Sequence, residues 1–209
     1  MKVLVIGSNG MTGKRVVDLL RAGPHDPVAM IRNPDQRPVF DELCVPTVLA
    51  DLEYPIDHAV RGCHAVIFAA GSGSKTGKDK TVLIDHIGAI RSVVTAQVQS
   101  AKRYIMLSAL NADVNSTSAI AHYHKAKGHA DNFLRESDLD WTVVCPGGLT
   151  NDPGTNRVAV SPECFGAGNT SRDNLAATLV ACLDEPHTIQ KSFSLLEGDT
   201  PIPEALKSL

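Results

Sequence analysis

The chain has 209 residues, 43% hydrophobic and 21% charged, and its 20 basic against 23 acidic side chains leave a net charge of −3. That balance excludes a disordered or fibrous chain and gives no electrostatic reason to expect nucleic acid or an anionic membrane as partner. Five cysteines, Cys44, Cys63, Cys145, Cys164 and Cys182, are scattered without a C-x-x-C pair, which speaks against a disulfide framework or a zinc site and for reduced thiols in a cytoplasmic protein. No run approaches the ~18 apolar residues of a membrane helix, and the opening residues lack the pattern of a signal peptide.

In chain order, VLVIG predicts a short buried strand that runs at once into a helical pattern, MTGKRVVDLLRAG. The runs PVAMIR, PTVLADL, HAVIFAAG and RYIMLSA follow as further strands. They are continuously apolar rather than alternating, as strands covered on both faces of a parallel sheet are. Between the last two lies KTVLIDHIGAIRSVVTAQVQSA, where Val82, Leu83, Ile87, Ile90, Val94 and Val98 recur at helical spacing and predict one stripe laid on the sheet. After the polar segment LNADVNSTSAIAH, a helix is expected from about Tyr123 to Glu136, then an apolar strand in WTVVCPGGL broken at Pro146. NDPGTNRVAVSPECFGAGN reads as loop with one or two short strands. SRDNLAATLVACLDEP predicts a helix with Ser171 as its cap and Pro186 as its stop, and SFSLLEG a last strand ahead of a polar tail. The alternation predicts an α/β fold with a doubly wound parallel sheet, a Rossmann fold. It is read as one domain over 1–209, with the loop-rich region 146–170 on the substrate side.

At the junction of the first strand and first helix stand Gly7, Gly10 and Gly13. Each has a physical task there: Gly7 turns the chain off the strand, Gly10 leaves room for a pyrophosphate, and Gly13 lets helix and sheet approach closely. The amides of the helix's first turn then face the phosphates of a dinucleotide. At the end of the second strand an acid would hold the ribose hydroxyls of NAD, but the sequence reads MIRNPDQR. Arg32, assisted by Arg37, suits a 2′-phosphate instead. Charge-assisted bonds of ~1.5–3 kcal/mol favour NADP(H) over NAD(H) by about one to two orders of magnitude.

These residues, with LADL at 49–52, AVIFAAGSGSKTG, RYIMLSALNAD, YHKAK, LDWTVVCPGGLTNDPGT and LLEGDTPIPEAL, make the chain resemble the atypical short-chain dehydrogenase/reductases of the NmrA-like, NAD(P)-binding group. The likeness extends to small bacterial proteins of the sugar-epimerase-like or NAD(P)H-oxidoreductase kind, and more distantly to flavin and biliverdin reductases. The resemblance implies that Ser8, Asn9, Met11 and Thr12 line the phosphate turn and that Asp51 and Leu52 border the adenine. It further implies that Ala69, Ala70 and Gly71 pass under the ribose near the nicotinamide, with Pro146, Gly147, Gly148 and Leu149 presenting backbone to the carboxamide.

Tyr123 and Lys127 form Y-x-x-x-K, a spacing that sets both side chains on one helix face. By the resemblance Tyr123 exchanges a proton with the substrate, while Lys127 binds the nicotinamide ribose and lowers the tyrosine pKa. A phenol is a poor acid or base at neutral pH until a cation stabilises its anion. Asp131 follows Lys127 by four residues, as the family's helix has it. Relatives often carry two hydroxyl residues after the fifth strand; here Ser108 is followed by Ala109, so Ser108 is the candidate for the proton network. His122, His124 and His129 lack the spacing of a metal set and are expected at the substrate mouth or in solvent. Cys145 is expected as a small buried hydrophobe. Residues 71–80, GSGSKTGKDK, read equally as a lid over an anionic ligand or as a solvated loop.

The expected function is that of an NADPH-dependent oxidoreductase passing hydride to a small carbonyl, quinone or flavin-like acceptor. The alternatives are a non-catalytic NADP(H)-binding sensor and a flavin reductase that draws its protons from solvent. A small-molecule substrate is the expected partner, and a monomer and a homodimer are equally compatible with the sequence.

Overall fold

The computed structural model describes residues 1–73 and 76–209. Its strands are β1 (Lys2–Ile6), β2 (Asp26–Ile31), β3 (Thr47–Leu49), β4 (Ala65–Phe68), β5 (Arg103–Leu107) and β6 (Asp140–Pro146), then β7 (Gly148–Thr150), β8 (Arg157–Ser161), β9 (Asn169–Ser171), β10 (Lys191–Glu197) and β11 (Thr200–Pro201). The helices are α1 (Met11–Ala22), α2 (Arg37–Asp41), α3 (Asp57–Val60), α4 (Lys78–Lys80), α5 (Ala89–Val98), α6 (Ala121–Arg135), α7 (Arg172–Ala181) and α8 (Ile202–Lys207). A π-helical stretch, Thr81–Gly88, joins α4 to α5.

The central sheet has nine strands in the order β11-β8-β10-β6-β5-β4-β1-β2-β3. From β3 through β10 every neighbouring pair is parallel, and β8 and β11 complete one edge antiparallel. This is the doubly wound α/β architecture expected from the continuous apolar runs. Successive residues of each strand feed opposite faces. Val3 and Val5 pack with Val16, Leu20, Leu175 and Leu179 under α1 and α7, while Leu4 and Ile6 pack with Ile84, Val93, Tyr104 and Leu134 under the opposite helices.

The strand order reverses between β1 and β4. These two run in register from Val3 beside Ala65 to Ile6 beside Phe68, so they end together. The chain leaves β1 toward β2 and leaves β4 toward β5, which opens a crevice at the carboxyl edge between Gly7 and Ala69.

Three features differ from the sequence expectation. The helical stripe of large aliphatics does not face the sheet: Val82, Ile87, Val94 and Val98 are 43%, 40%, 42% and 66% exposed. The inward face is Thr81, Ile84, Asp85, Gly88, Ala89, Ser92, Val93 and Ala96. Close approach selects small side chains there, since a Cβ on Gly88 would lie 2.9 Å from that of Leu52, and the i→i+5 bonding of the π stretch alters the phase of the face. Region 146–170, read as loop with one or two short strands, carries three, β7, β8 and most of β9, and β8 extends the main sheet at its edge. The polar tail is the helix α8, which buries Ile202, Ala205 and Leu206.

Candidate functional site

The glycine turn sits at the crevice floor. Gly7 has φ +84°, and a Cβ there would lie 2.6 Å from Ala70 Cα, so both its conformation and its contact with the end of β4 require glycine. A Cβ on Gly13 would lie 2.1 Å from the Gly7 carbonyl oxygen, which fixes how closely α1 lies on the turn. Gly10 caps α1 and is exposed; among the described residues no side chain caps this end, and no acid occupies its first turn. The amides of that turn therefore face the crevice with the positive end of the helix dipole and without an acceptor side chain, an arrangement that fits a phosphate group. Ser8 is buried, its hydroxyl donating to the Met30 carbonyl at 2.7 Å, so its side chain serves the fold rather than the turn's surface.

Two adjoining cavities run from this turn and share Gly10, Ala69, Ala70, Gly71 and Ser72. The smaller, of about 310 Å³, is lined by Gly7, Asn9, Arg32, Gln36, Asp51 and Leu52 among others. Arg32 is held by its own backbone, whose amide donates to Gln36 Oε1 at 2.9 Å, while Gln36 and Asn33 cap the short turn that follows β2. Arg37, at the start of α2, is not part of the lining. The larger cavity, of about 850 Å³, is lined by Met11, Thr12, Ser108, Tyr123, Lys127 and Pro146 through Leu149. The crevice thus gathers residues from the ends of β1, β2, β3, β4, β5 and β6. The amides of Gly147 and Gly148 already donate to the Leu195 and Gly168 carbonyls, so these two donors are committed within the protein.

The ionisable groups of the larger cavity form a buried cluster. Lys127 is 2% exposed; its Nζ donates to the Leu107 carbonyl at 2.8 Å, lies 3.7 Å from Asp85 Oδ1, and stands 5.6 Å over the Phe68 ring. Burial works against its charge, yet the surrounding Tyr123, Asp85, Asp131 and Cys145 outweigh it and hold the ammonium above the ordinary lysine range. For Tyr123 burial wins over the nearby Lys127 and raises the phenol above its ordinary value. The lysine acts in the expected direction without prevailing. Ser108 Oγ and Asp131 Oδ2 are hydrogen-bonded at 2.5 Å. Burial raises the Asp131 carboxyl against the opposing pull of Ser108, Lys127 and Arg135, and pushes the Cys145 thiol up to about 12.

Asp85 was not singled out from the sequence. It is fully buried, with Oδ2 accepting from the Ser72 amide at 3.0 Å, and it ties the segment after β4 to the neighbourhood of Lys127. Its signal was a lone carboxylate in the apolar run TVLIDHIG. Arg172 was also missed; it reaches the larger cavity from α7 and donates to the Leu149 and Thr150 carbonyls.

His122 and His124 line the larger cavity, whereas His129 stacks on His86 with ring centroids 4.6 Å apart. In the segment 71–80, Ser74 and Lys75 lie outside the described residues. Beyond them Thr76 donates to the Ser72 and Gly73 carbonyls, and Lys80 pairs with Glu53 at 2.5 Å.

A model of a family described as NAD(P)H-binding matches residues 7–186. A Bacillus subtilis (strain 168) protein that carries the name sugar epimerase YhfK, its activity uncharacterised, is 44% identical over 215 residues, covering 100% of both chains. A solved structure from Bacillus halodurans with the provisional name NAD-dependent epimerase/dehydratase superposes with a TM-score of 0.95 at 40% identity, covering 100% of both chains. The oxidoreductase ylbE from Lactococcus lactis gives a TM-score of 0.86 at 27% identity, covering 100% of this chain and 96% of that one.

Proposed function

The chain belongs to the NAD(P)H-binding family, and on that premise we propose that it is an NADPH-dependent oxidoreductase that reduces a small carbonyl, quinone or flavin-like acceptor. The observation that carries this reading is the meeting of Tyr123, Lys127 and Ser108 in one cavity that continues into the glycine turn. When bound, the reduced nicotinamide supplies a hydride. The protein's residues do the rest. Amides of the α1 first turn hold the pyrophosphate, Gly10 gives it room, and Asn9, Met11 and Thr12 border it. Asp51 and Leu52 flank the adenine, and Arg32 faces the 2′-phosphate. Ala69, Ala70 and Gly71 support the nicotinamide ribose, with Pro146, Gly147, Gly148 and Leu149 closing the far side.

Tyr123 gives the proton that the reduced acceptor needs. Its phenol is protonated throughout the neutral range, because burial holds it above the ordinary value, so it acts as an acid without prior activation. Lys127 keeps its ammonium where the phenolate forms and steadies that charge. Region 146–170 covers the substrate end, and its shortness suits a compact acceptor.

Arg32→Ser tests the cofactor assignment. Removing the guanidinium deletes about 1.5–3 kcal/mol of charge-assisted bonding to the 2′-phosphate, so the ratio of NADH to NADPH dissociation constants is expected to fall by about 10–100-fold. Calorimetric titration of both cofactors measures it, and an unchanged ratio would remove Arg32 from the site.

A further inference from the structure

Asp131 is 1% exposed, and one of its two oxygens, Oδ1, is buried without a hydrogen-bond partner among the described residues. The other meets Ser108 Oγ at 2.5 Å. Two buried carboxyl groups, Asp85 and Asp131, share the single ammonium of Lys127, and the ion pair formed within 4 Å is with Asp85. An ionised Asp131 would leave a bare buried anionic oxygen, which costs several kcal/mol or more. A carboxylic acid leaves only a carbonyl oxygen bare, and its O–H has an acceptor within reach. We propose that Asp131 is a neutral acid at pH 7 that donates its hydrogen bond to Ser108, and that this turns the Ser108 hydroxyl proton toward the acceptor oxygen of the substrate.

The polarity of Ser108 depends on that proton. With an ionised Asp131 the serine must donate to the carboxylate and presents only lone pairs to the cavity, a poor match for a carbonyl oxygen gaining negative charge. With a protonated Asp131 the direction reverses, and Ser108 joins Tyr123 as a second donor on that oxygen. Asp131 touches no substrate and is therefore a positioning residue. On its own helix the charges of Lys127, Tyr123 and Arg135 act on it, with that of Cys145 from β6; Ser108 lies beyond β5 and Asp85 across Lys127. Arg135 is turned to the surface, donating to Ser192 Oγ and Asn132 Oδ1. The raised carboxyl of Asp131 is in keeping with this assignment. Its folded-state pKa lies above the unfolded one, so the protonated form persists as pH rises until the folded value is passed; beyond it Ser108 loses its donor role and turnover falls.

The use of Ser108 rests on the oxidoreductase reading, but the proton on Asp131 does not, and the test separates them. Infrared difference spectra of the ligand-free protein at pH 7 are expected to show a carboxylic-acid carbonyl band that Asp131→Asn lacks and that Ser108→Ala shifts as the acid loses its acceptor. In steady-state assays the alkaline fall of kcat/KM is expected to move to higher pH in Asp131→Asn, whose amide donates at every pH, leaving only the fall set by the Tyr123 phenol. Identical wild-type and Asp131→Asn spectra, or a band unmoved by Ser108→Ala, overturn the inference. NADPH binding by the same wild-type sample reports on the reading itself. Binding without the band leaves the reading standing and ends the inference; the band without binding ends the reading and the role given to Ser108.

Discussion

Tyr123→Phe is expected to lower turnover by about 10²–10⁴-fold while NADPH affinity stays within a factor of about two. The substitution removes one hydroxyl and keeps the ring that lines the cavity, so binding of the cofactor has little to lose. The proton has to come from somewhere, and the other hydroxyl in reach, Ser108, which meets Asp131 at 2.5 Å, offers a hydrogen bond rather than an acid. A second donor can stabilise the developing charge without replacing the acid. Steady-state NADPH oxidation and a calorimetric titration of the same variant check both halves. Undiminished turnover would mean that the proton comes from solvent, as in a flavin reductase of that kind, and would remove Tyr123 from the chemistry.

Gly13→Val is expected to destabilise the fold by about 3 kcal/mol and to abolish NADPH binding. The added Cβ falls 2.1 Å from the Gly7 carbonyl oxygen and 2.9 Å from Ser8 Cα. Both are backbone atoms of the turn, and Gly7 is itself pressed against Ala70, so the strain has no flexible side chain to absorb it. Gly10→Ala provides the contrast. Its Cβ meets only the Gly7 carbonyl oxygen, at 3.2 Å, and its φ of −72° suits alanine, so stability is expected to change by less than about 0.5 kcal/mol. Urea unfolding measures both, and a Gly13→Val protein of wild-type stability would show that the turn has slack.

The sheet and its crevice were legible because parallel strands buried on both faces leave continuous apolar runs, and because a strand, three glycines and a helix in succession constrain one another. Tyr123, Lys127 and Ser108 were singled out through spacing and resemblance, and the fold brings them to one cavity. What escaped has a common physical origin. Sequence patterning treats a carboxylate as solvated and a large aliphatic as buried, and both assumptions fail along the helix that passes the site. There Asp85 turns inward toward Lys127 while Val82, Ile87 and Val94 stay exposed, because close packing on the sheet prefers Thr81, Gly88, Ala89 and Ser92. Asp131 was visible as a position and invisible as a group, since only the structure shows that one of its oxygens has no partner among the described residues. In α8, a six-residue proline-bearing run buries its three apolar residues, Ile202, Ala205 and Leu206, a short amphipathic pattern that length alone hides.

Calorimetric titration of the ligand-free protein with NADPH and with NADH tests the central claim most directly. The account predicts saturable binding of NADPH at one site, at least about tenfold tighter than NADH, from the helix N-terminus and Arg32 acting together. Absence of binding by either cofactor would reduce Gly7, Gly10 and Gly13 to packing residues and would contradict the oxidoreductase reading.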